Sequence, residues 1–178
     1  MTSNARLELP VLVHSELMAH LLPARPKSEE VAFIFCHFMQ TEGEVRFSFI
    51  ESYPVPTAGF VYKSLFGIEL SNTCRASVIK RAHDLKASLI EVHSHPLAKS
   101  TEFSPSDRVG FADFVPHVRW RLKQRPYGAI VVGPHGFDSL CWVSDCERPD
   151  GVLELQVARR RMTPTGLTLA NWENTDRF

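Results

Sequence analysis

Two histidines lie two residues apart in the segment His-Ser-His-Pro that begins at His93. The apolar residues just before them predict a strand over 89–93, and side chains two positions apart on a strand project from the same face. Two imidazoles placed in this way can bind one zinc ion, each at about 2.0–2.1 Å. Pro96 cannot donate to a strand ladder and predicts that the strand ends here. The spacing of His93 and His95 therefore predicts a metal site at the rim of a sheet.

Asp107 is the candidate for a third ligand. The segment Ser-Pro-Ser-Asp that begins at Ser104 is typical of a helix start and places Asp107 in the first turn. If this helix packs over the end of the strand, the carboxylate can meet the same metal. Two imidazoles and one carboxylate leave the fourth tetrahedral position open for water, as in catalytic rather than structural zinc sites. Amide hydrolysis there also needs a base, and a glutamate just outside the ligands would serve.

The pattern of an upstream glutamate, His-x-His-Pro and then Ser-x-x-Asp resembles the signature of the JAB/MPN (JAMM) zinc metalloproteases. The resemblance extends over residues 7–143, although the loop of eight residues between His95 and Ser104 is one longer than is usual in eukaryotic members. It implies one Zn²⁺ per chain, bound by His93, His95 and Asp107. It also implies the single-domain MPN/JAB fold, in which helices flank a mixed, mostly antiparallel sheet with the layering of cytidine deaminases.

The same resemblance implies roles for two catalytic residues. Glu30, immediately before an apolar strand, matches the catalytic glutamate, and Ser104 matches the serine whose hydroxyl supports the oxyanion of the tetrahedral intermediate. Glu29 and Glu91 are the alternatives for the base. Glu91 shares the face of the two histidines, but its position further along the strand predicts that it lies too far from the reacting water. Glu30 is therefore the predicted base.

The function implied by the resemblance is zinc-dependent cleavage of the amide bond after the C-terminal tail of a ubiquitin-like protein, in deconjugation or precursor processing. The chain looks more like the bacterial members found beside ubiquitin-like conjugation enzymes, some of them in antiphage operons, than like the eukaryotic deubiquitinases. The alternative is a non-catalytic MPN scaffold in a larger complex, although such members usually lack one or more ligands. A zinc deaminase would require His-x-Glu and a later Pro-Cys-x-x-Cys, and the sequence has neither.

Periodicity and turn residues predict one mixed α/β domain over residues 1–178. Strands are expected at 7–13, 31–36, 45–49, 89–93, 127–133, 137–143, 152–157 and 166–172. The segment 54–70 is expected to be mostly loop. Helices are expected after Ser15, which would cap the first, at about 71–86, and from Ser104 to an interruption at Pro116.

Composition indicates which classes of binding partner and which cellular compartment to expect. Twenty basic residues balance twenty acidic ones among 178, so net charge gives no reason to expect nucleic acid. The sequence contains neither an apolar run long enough for a membrane span nor a secretory signal, so no membrane partner is expected. The four cysteines form no Cys-x-x-Cys pair and predict reduced thiols in the cytoplasm.

Overall fold

The computed structural model describes residues 4–172, which form two sheets and four α-helices. The strands are β1 (Asn4–Leu9), β2 (Val31–Thr41), β3 (Glu44–Pro54), β4 (Phe60–Ser64), β5 (Gly67–Leu70), β6 (Ser88–Ser94), β7 (Tyr127–Gly133), β8 (Gly136–Trp142), β9 (Leu153–Val157) and β10 (Arg160–Met162). The α-helices are α1 (Val11–Leu21), α2 (Asn72–Asp84), α3 (Pro105–Arg121) and α4 (Leu167–Ala170). Within the described part of the chain, no helix is long and apolar enough to cross a membrane.

Eight strands form the main sheet in the order β10-β9-β1-β3-β2-β6-β7-β8, and four of its seven pairings are antiparallel. The mixed, mostly antiparallel α/β class predicted from the sequence is confirmed. A backbone bridge from Cys141 to Gly151 and hydrogen bonds between Ser139 and Leu153 connect β8, at one end of this order, to the β9 side. The sheet is therefore curled, and β6 lies in its interior between β2 and β7.

Helices cover both faces of the sheet. The odd-numbered side chains of β2 from 31 to 35 pack into a core with α2 and α3, whereas its even-numbered side chains from 32 to 36 pack into a second core with α1. This alternation is the two-residue period of a strand that is buried on both faces. Near the start of β2, odd-numbered side chains thus face α2 and α3, and even-numbered side chains face α1.

The N-terminal segment departs from the prediction. The first strand ends at Leu9, and α1 begins at Val11 with Pro10 at its N-cap position, so neither a strand over 7–13 nor a cap at Ser15 is found. Proline is well suited to a helix start because its fixed φ fits there and the first helical N–H groups have no intrahelical partner. Strand β1 lies between β3 and β9 in the interior of the strand order.

The segment predicted to be a loop contains regular structure. Residues Thr57–Gly59 form a short 3-10 helix, and β4 and β5 then pair as a separate two-stranded hairpin. Several hairpin side chains are exposed, among them Val61 at 67%, Tyr62 at 54% and Phe66 at 85%. Because the strands are short and much of their surface faces solvent, they lack the alternation by which buried strands are recognised.

Two C-terminal predictions were also wrong. Helix α3 continues through Pro116 to Arg121, since the buried side chains of Val115 and Val118 hold both sides of the proline against the core. The strand predicted over 166–172 is replaced by the short helix α4, which follows Gly166 in the left-handed conformation (φ +70°). Strand β10 was not predicted.

Candidate metal centre

Strand β6 carries the first two predicted ligands to the rim of the sheet. His93 lies opposite Val31 on β2 and faces the layer of α2 and α3, where it is only 1% exposed. His95 follows the strand, and its backbone N–H donates to the carbonyl of Val132 at 2.8 Å, which keeps the chain alongside β7. The Nε2 atoms of the two rings are 3.3 Å apart. The two-residue spacing does place both imidazoles together.

A capping box at the start of α3 fixes the carboxylate of Asp107. The Ser104 hydroxyl accepts the backbone N–H of Asp107 at 3.1 Å. Asp107 Oδ2 in turn accepts the backbone N–H of Ser104 at 2.7 Å and its hydroxyl at 2.8 Å. The same Oδ2 lies 3.3 Å from His95 Nε2 and 3.5 Å from His93 Nε2. The capping box of α3 therefore also holds the carboxylate of Asp107, the third predicted ligand, next to the two histidines.

The three candidate ligand atoms form a nearly equilateral triangle with sides of 3.3, 3.3 and 3.5 Å. Zinc bonds of about 2.0–2.1 Å in a tetrahedral arrangement separate neighbouring ligand atoms by about 3.3–3.4 Å. Both the donor set and its dimensions therefore fit a single cation held by three protein atoms. The group formed by His93, His95 and Asp107 can hold a metal ion.

The charges of the site also favour a cation. Burial alone would raise the pKa of Asp107, but hydrogen bonds and charge from His93, and then contacts with His95 and Ser104, outweigh it and hold this pKa far below its usual range. Burial likewise acts to lower the pKa of His93, but the carboxylates of Asp107 and Glu91 outweigh it and raise that pKa to about 10. The two carboxylates thus favour positive charge at this end of the site.

Glu91 lies next to Nδ1 of His93, the ring nitrogen that does not belong to the candidate ligand triangle. Its Oε1 is 3.5 Å from His93 Nδ1, and its Oε2 accepts a hydrogen bond of 3.1 Å from the hydroxyl of the buried Tyr127. Nδ1 is itself buried and, among residues 4–172, has no hydrogen-bond partner, so the Glu91 carboxylate at 3.5 Å is a charged neighbour and not a hydrogen-bond acceptor in this geometry. A carboxylate on the second ring nitrogen fixes the orientation and tautomer of a metal-binding histidine. Sequence reasoning considered Glu91 only as a base; its position fits an orienting group instead.

The structure places Glu29, and not Glu30, beside the candidate ligands. Glu29 Oε1 is 4.0 Å from His95 Nε2, and its side chain is 7% exposed. Burial is the main cause that raises the pKa of Glu29, and the nearby histidines offset part of this rise. Glu30 instead binds Lys63 Nζ, at 2.7 and 2.9 Å, and the Ser28 hydroxyl at 3.0 Å. Of the two neighbouring glutamates, Glu29 is thus the one that lies beside the candidate ligands, whereas Glu30, the predicted base, is paired with Lys63.

A groove of about 550 Å³ opens beside the ligands. One side is formed by the β4–β5 hairpin and the other by the loop after β6 and the start of α3. Its lining includes the polar groups Glu29, His95, Ser104 and Asp107 and the apolar side chains Tyr62, Leu65, Phe66, Ile68, Leu97 and Ala98. The candidate base, two of the candidate ligands and the capping serine therefore border the same solvent-accessible groove.

No model of a known protein family matches the chain, and a search of curated proteins found no match. The chemistry of the site therefore rests on its residues and their geometry.

Proposed function

We propose that this protein is a zinc-dependent peptidase or isopeptidase of the JAB/MPN (JAMM) type. We infer that it cleaves the amide bond that follows the C-terminal tail of a ubiquitin-like protein. The observation that carries the proposal is the triangle of His93, His95 and Asp107 with the buried carboxylate of Glu29 next to it in one groove. A structural zinc site would be closed by a fourth protein ligand, whereas among the described residues these three form the whole candidate group.

Glu29 is the proposed general base. A zinc ion at the triangle, when bound, supplies Lewis-acid activation of water and polarises the scissile carbonyl. Glu29 accepts a proton from the water whose oxygen attacks the carbonyl carbon, and it delivers this proton to the amine nitrogen as the C–N bond breaks. The pKa of Glu29, raised mainly by burial, suits a carboxylate that must both accept and release a proton.

Ser104 has two proposed roles. In the structure its hydroxyl is part of the capping box, where it donates to Asp107 Oδ2. The hydroxyl also lines the groove, from where it can donate to the oxygen that becomes negatively charged during attack. That second role requires the hydroxyl proton to turn from Asp107 Oδ2 towards the substrate, so that the hydrogen bond to Asp107 is exchanged for one to the substrate oxygen.

The groove supports an extended peptide as the substrate. Its hairpin wall presents the exposed Phe66, and its opposite wall presents Leu97, which is 56% exposed. An unfolded C-terminal tail can lie between these apolar walls with its last residues beside the candidate metal ligands, whereas a folded domain would remain outside. This geometry, together with the resemblance of the ligand motif, is what supports a ubiquitin-like tail.

The test is cleavage of fusions in which a ubiquitin-like protein is followed by a reporter. The zinc-loaded protein is expected to release the reporter, a chelator should stop the reaction, and added Zn²⁺ should restore it. Glu29→Gln should retain stoichiometric zinc and lose activity by at least roughly 100-fold. Cleavage that survives complete removal of metal would refute the proposal, and stoichiometric zinc without cleavage of any fusion would favour the scaffold alternative.

A thiol alkylator provides a control for a cysteine mechanism. Cys36 and Cys141 are buried, and burial raises the pKa of both thiols well above the usual range, so neither is a ready nucleophile. Alkylation of the native protein should leave the cleavage rate unchanged. If alkylation abolishes cleavage while zinc stays bound, a cysteine takes part in the reaction and the metal mechanism is not sufficient.

A further inference from the structure

The side chain of Glu30 connects the candidate site to the β4–β5 hairpin. Lys63, on β4, places its ammonium 2.7 and 2.9 Å from the two carboxylate oxygens of Glu30. The two side chains are only 18% and 21% exposed, and the Ser28 hydroxyl adds a third contact at 3.0 Å. The Lys63 ammonium also lies over the ring of Phe60, 4.8 Å from its centre. This ion pair is thus held on both sides and largely shielded from solvent.

The backbone on either side of this pair is bonded to two different elements. The Glu29 N–H donates to the carbonyl of Ser64 on the hairpin at 2.7 Å. The Glu30 N–H donates to the Ser94 hydroxyl, and the Ser94 N–H donates back to the Glu30 carbonyl, both at 3.0 Å. Ser94 lies between the two candidate histidine ligands. The Glu29–Glu30 peptide is therefore clamped between the hairpin and the strand that carries the ligands.

We propose that Glu30 and Lys63 form a positioning pair that sets Glu29 against the metal ligands and ties it to the hairpin wall of the groove. The inference rests on the proposed function, in which Glu29 is the base. A two-stranded hairpin is marginally stable by itself, so its place beside the site depends on contacts such as this ion pair. When the pair is lost, the Ser64 carbonyl no longer stays in place, and the Glu29 carboxylate shifts with it.

The chemical consequence is a loss of turnover and not of metal. A displacement of a catalytic group by about 1 Å can reduce the rate roughly 100-fold. Neither Glu30 nor Lys63 contacts the ligand triangle, so zinc affinity should not depend on them. Glu30 therefore influences catalysis without touching the reacting atoms, as a partner of the residue that does.

The first experiment compares Lys63→Met, Glu30→Gln and the double variant in the zinc-loaded protein. Each single variant should lower kcat roughly 10–100-fold, with zinc affinity unchanged. Because the pair acts as one unit, the double variant should be no slower than the slower single variant, within about twofold. Lys63→Arg, which keeps the pair, should retain most of the wild-type kcat.

Lys80→Met is the matched control, since it removes a lysine from the exposed i,i+4 pair with Asp84 on α2. It should leave kcat unchanged. An unchanged kcat in Lys63→Met, or single-variant effects that multiply in the double variant, would overturn the proposal.

A second measurement tests the clamp independently of the proposed function. Amide hydrogen exchange should become at least roughly tenfold faster for Glu29 in Lys63→Met, because its bond to Ser64 opens more often. The Ser94 amide, which bonds to Glu30 on the strand side, should keep its protection. If wild-type protein cleaves no fusion but the Glu29 amide responds in this way, the proposed function fails and the coupling stands. Unchanged exchange at Glu29 would overturn the coupling, whatever the activity.

Discussion

The two sides of the groove are held in different ways. On the ligand side, His93 is buried at the rim of the main sheet, and Asp107 is fixed by two hydrogen bonds from Ser104. The ring of Phe103 also packs edge-on against His93, with centroids 5.5 Å apart. On the hairpin side, exposed side chains such as Phe66 face solvent, while Phe60, Ile68 and Leu70 pack against the core. The polar contacts to the Glu29–Glu30 segment are the Glu30–Lys63 pair and the hydrogen bond from the Glu29 N–H to the Ser64 carbonyl.

Under the proposed function, this contrast predicts that the ligand side is the more rigid wall of the groove and the hairpin side the more adaptable one. A metal site loses affinity when its ligands must be ordered on binding, so burial and capping on the ligand side are an advantage. A wall that accepts a peptide can gain from small adjustments, provided that they do not displace the catalytic groups. Substitutions on the ligand side should therefore affect zinc affinity, whereas substitutions on the hairpin side should leave zinc affinity unchanged and affect substrate binding or turnover.

Asp107→Ala should have the largest effect. It removes one of three protein ligands, so zinc affinity should fall by more than the roughly 10–100-fold that loss of an orienting group causes. Zinc content after dialysis and competition with a chromogenic chelator measure this directly. Asp113→Ala, at an exposed position of the same helix, is the control and should bind zinc normally. Retention of wild-type affinity by Asp107→Ala would show that the ligand side is not built around this carboxylate.

Glu91→Gln should weaken zinc binding roughly 10–100-fold, because the carboxylate no longer fixes the His93 ring through Nδ1. Tyr127→Phe, which removes only the hydroxyl that supports Glu91, should have a smaller effect in the same direction. The exposed Glu69 of the hairpin also lines the groove, and Glu69→Gln should leave zinc affinity unchanged. Equal zinc affinities in the Glu91 and Glu69 variants would contradict the difference between the two walls.

Two serine caps allow the contribution of a helix cap to stability to be separated from its contribution to zinc affinity. Ser104 caps α3 at the site, and Ser71 caps α2 away from the ligands by accepting the Cys74 N–H at 3.1 Å. Replacing either by alanine should lower the free energy of unfolding of the metal-free protein by about 1 kcal/mol. Only Ser104→Ala should also reduce zinc affinity, because only that cap holds a ligand. Denaturant unfolding and zinc titration of both variants test this.

The ligand side could be predicted from the sequence because its information is local. His93, His95 and Asp107 lie within one strand–loop–helix segment, and the capping signal at Ser104 is itself a sequence pattern. The contacts that orient His93 were not predicted, since Tyr127 reaches Glu91 only after β7 has paired with β6. No local pattern encodes that neighbour.

The two-residue period of β2 could have predicted that Glu29 faces the histidines, but the prediction of Glu30 came from the resemblance to a family motif. Val31 and Phe33 face the same layer as His93, and Glu29 shares their odd parity, whereas Glu30 shares the parity of the opposite face. Extending the two-residue period backwards from β2 favours Glu29, while alignment to a family motif favoured its neighbour. The hairpin that binds Glu30 could not be anticipated, because its strands are short and lack a buried, alternating face.

Phe66→Ser should have the smallest effect, and it tests the adaptable wall itself. The side chain is 85% exposed at the hairpin tip, so its loss should change the free energy of unfolding by no more than about 0.5 kcal/mol. Since Phe66 lines the groove, KM for a ubiquitin-like fusion should rise severalfold while kcat and zinc affinity stay unchanged. Val61→Ser, at another exposed apolar position of β4 that does not line the groove, is the control. A fall in kcat without a change in KM would mean that the hairpin tip acts on the chemistry and not on substrate binding.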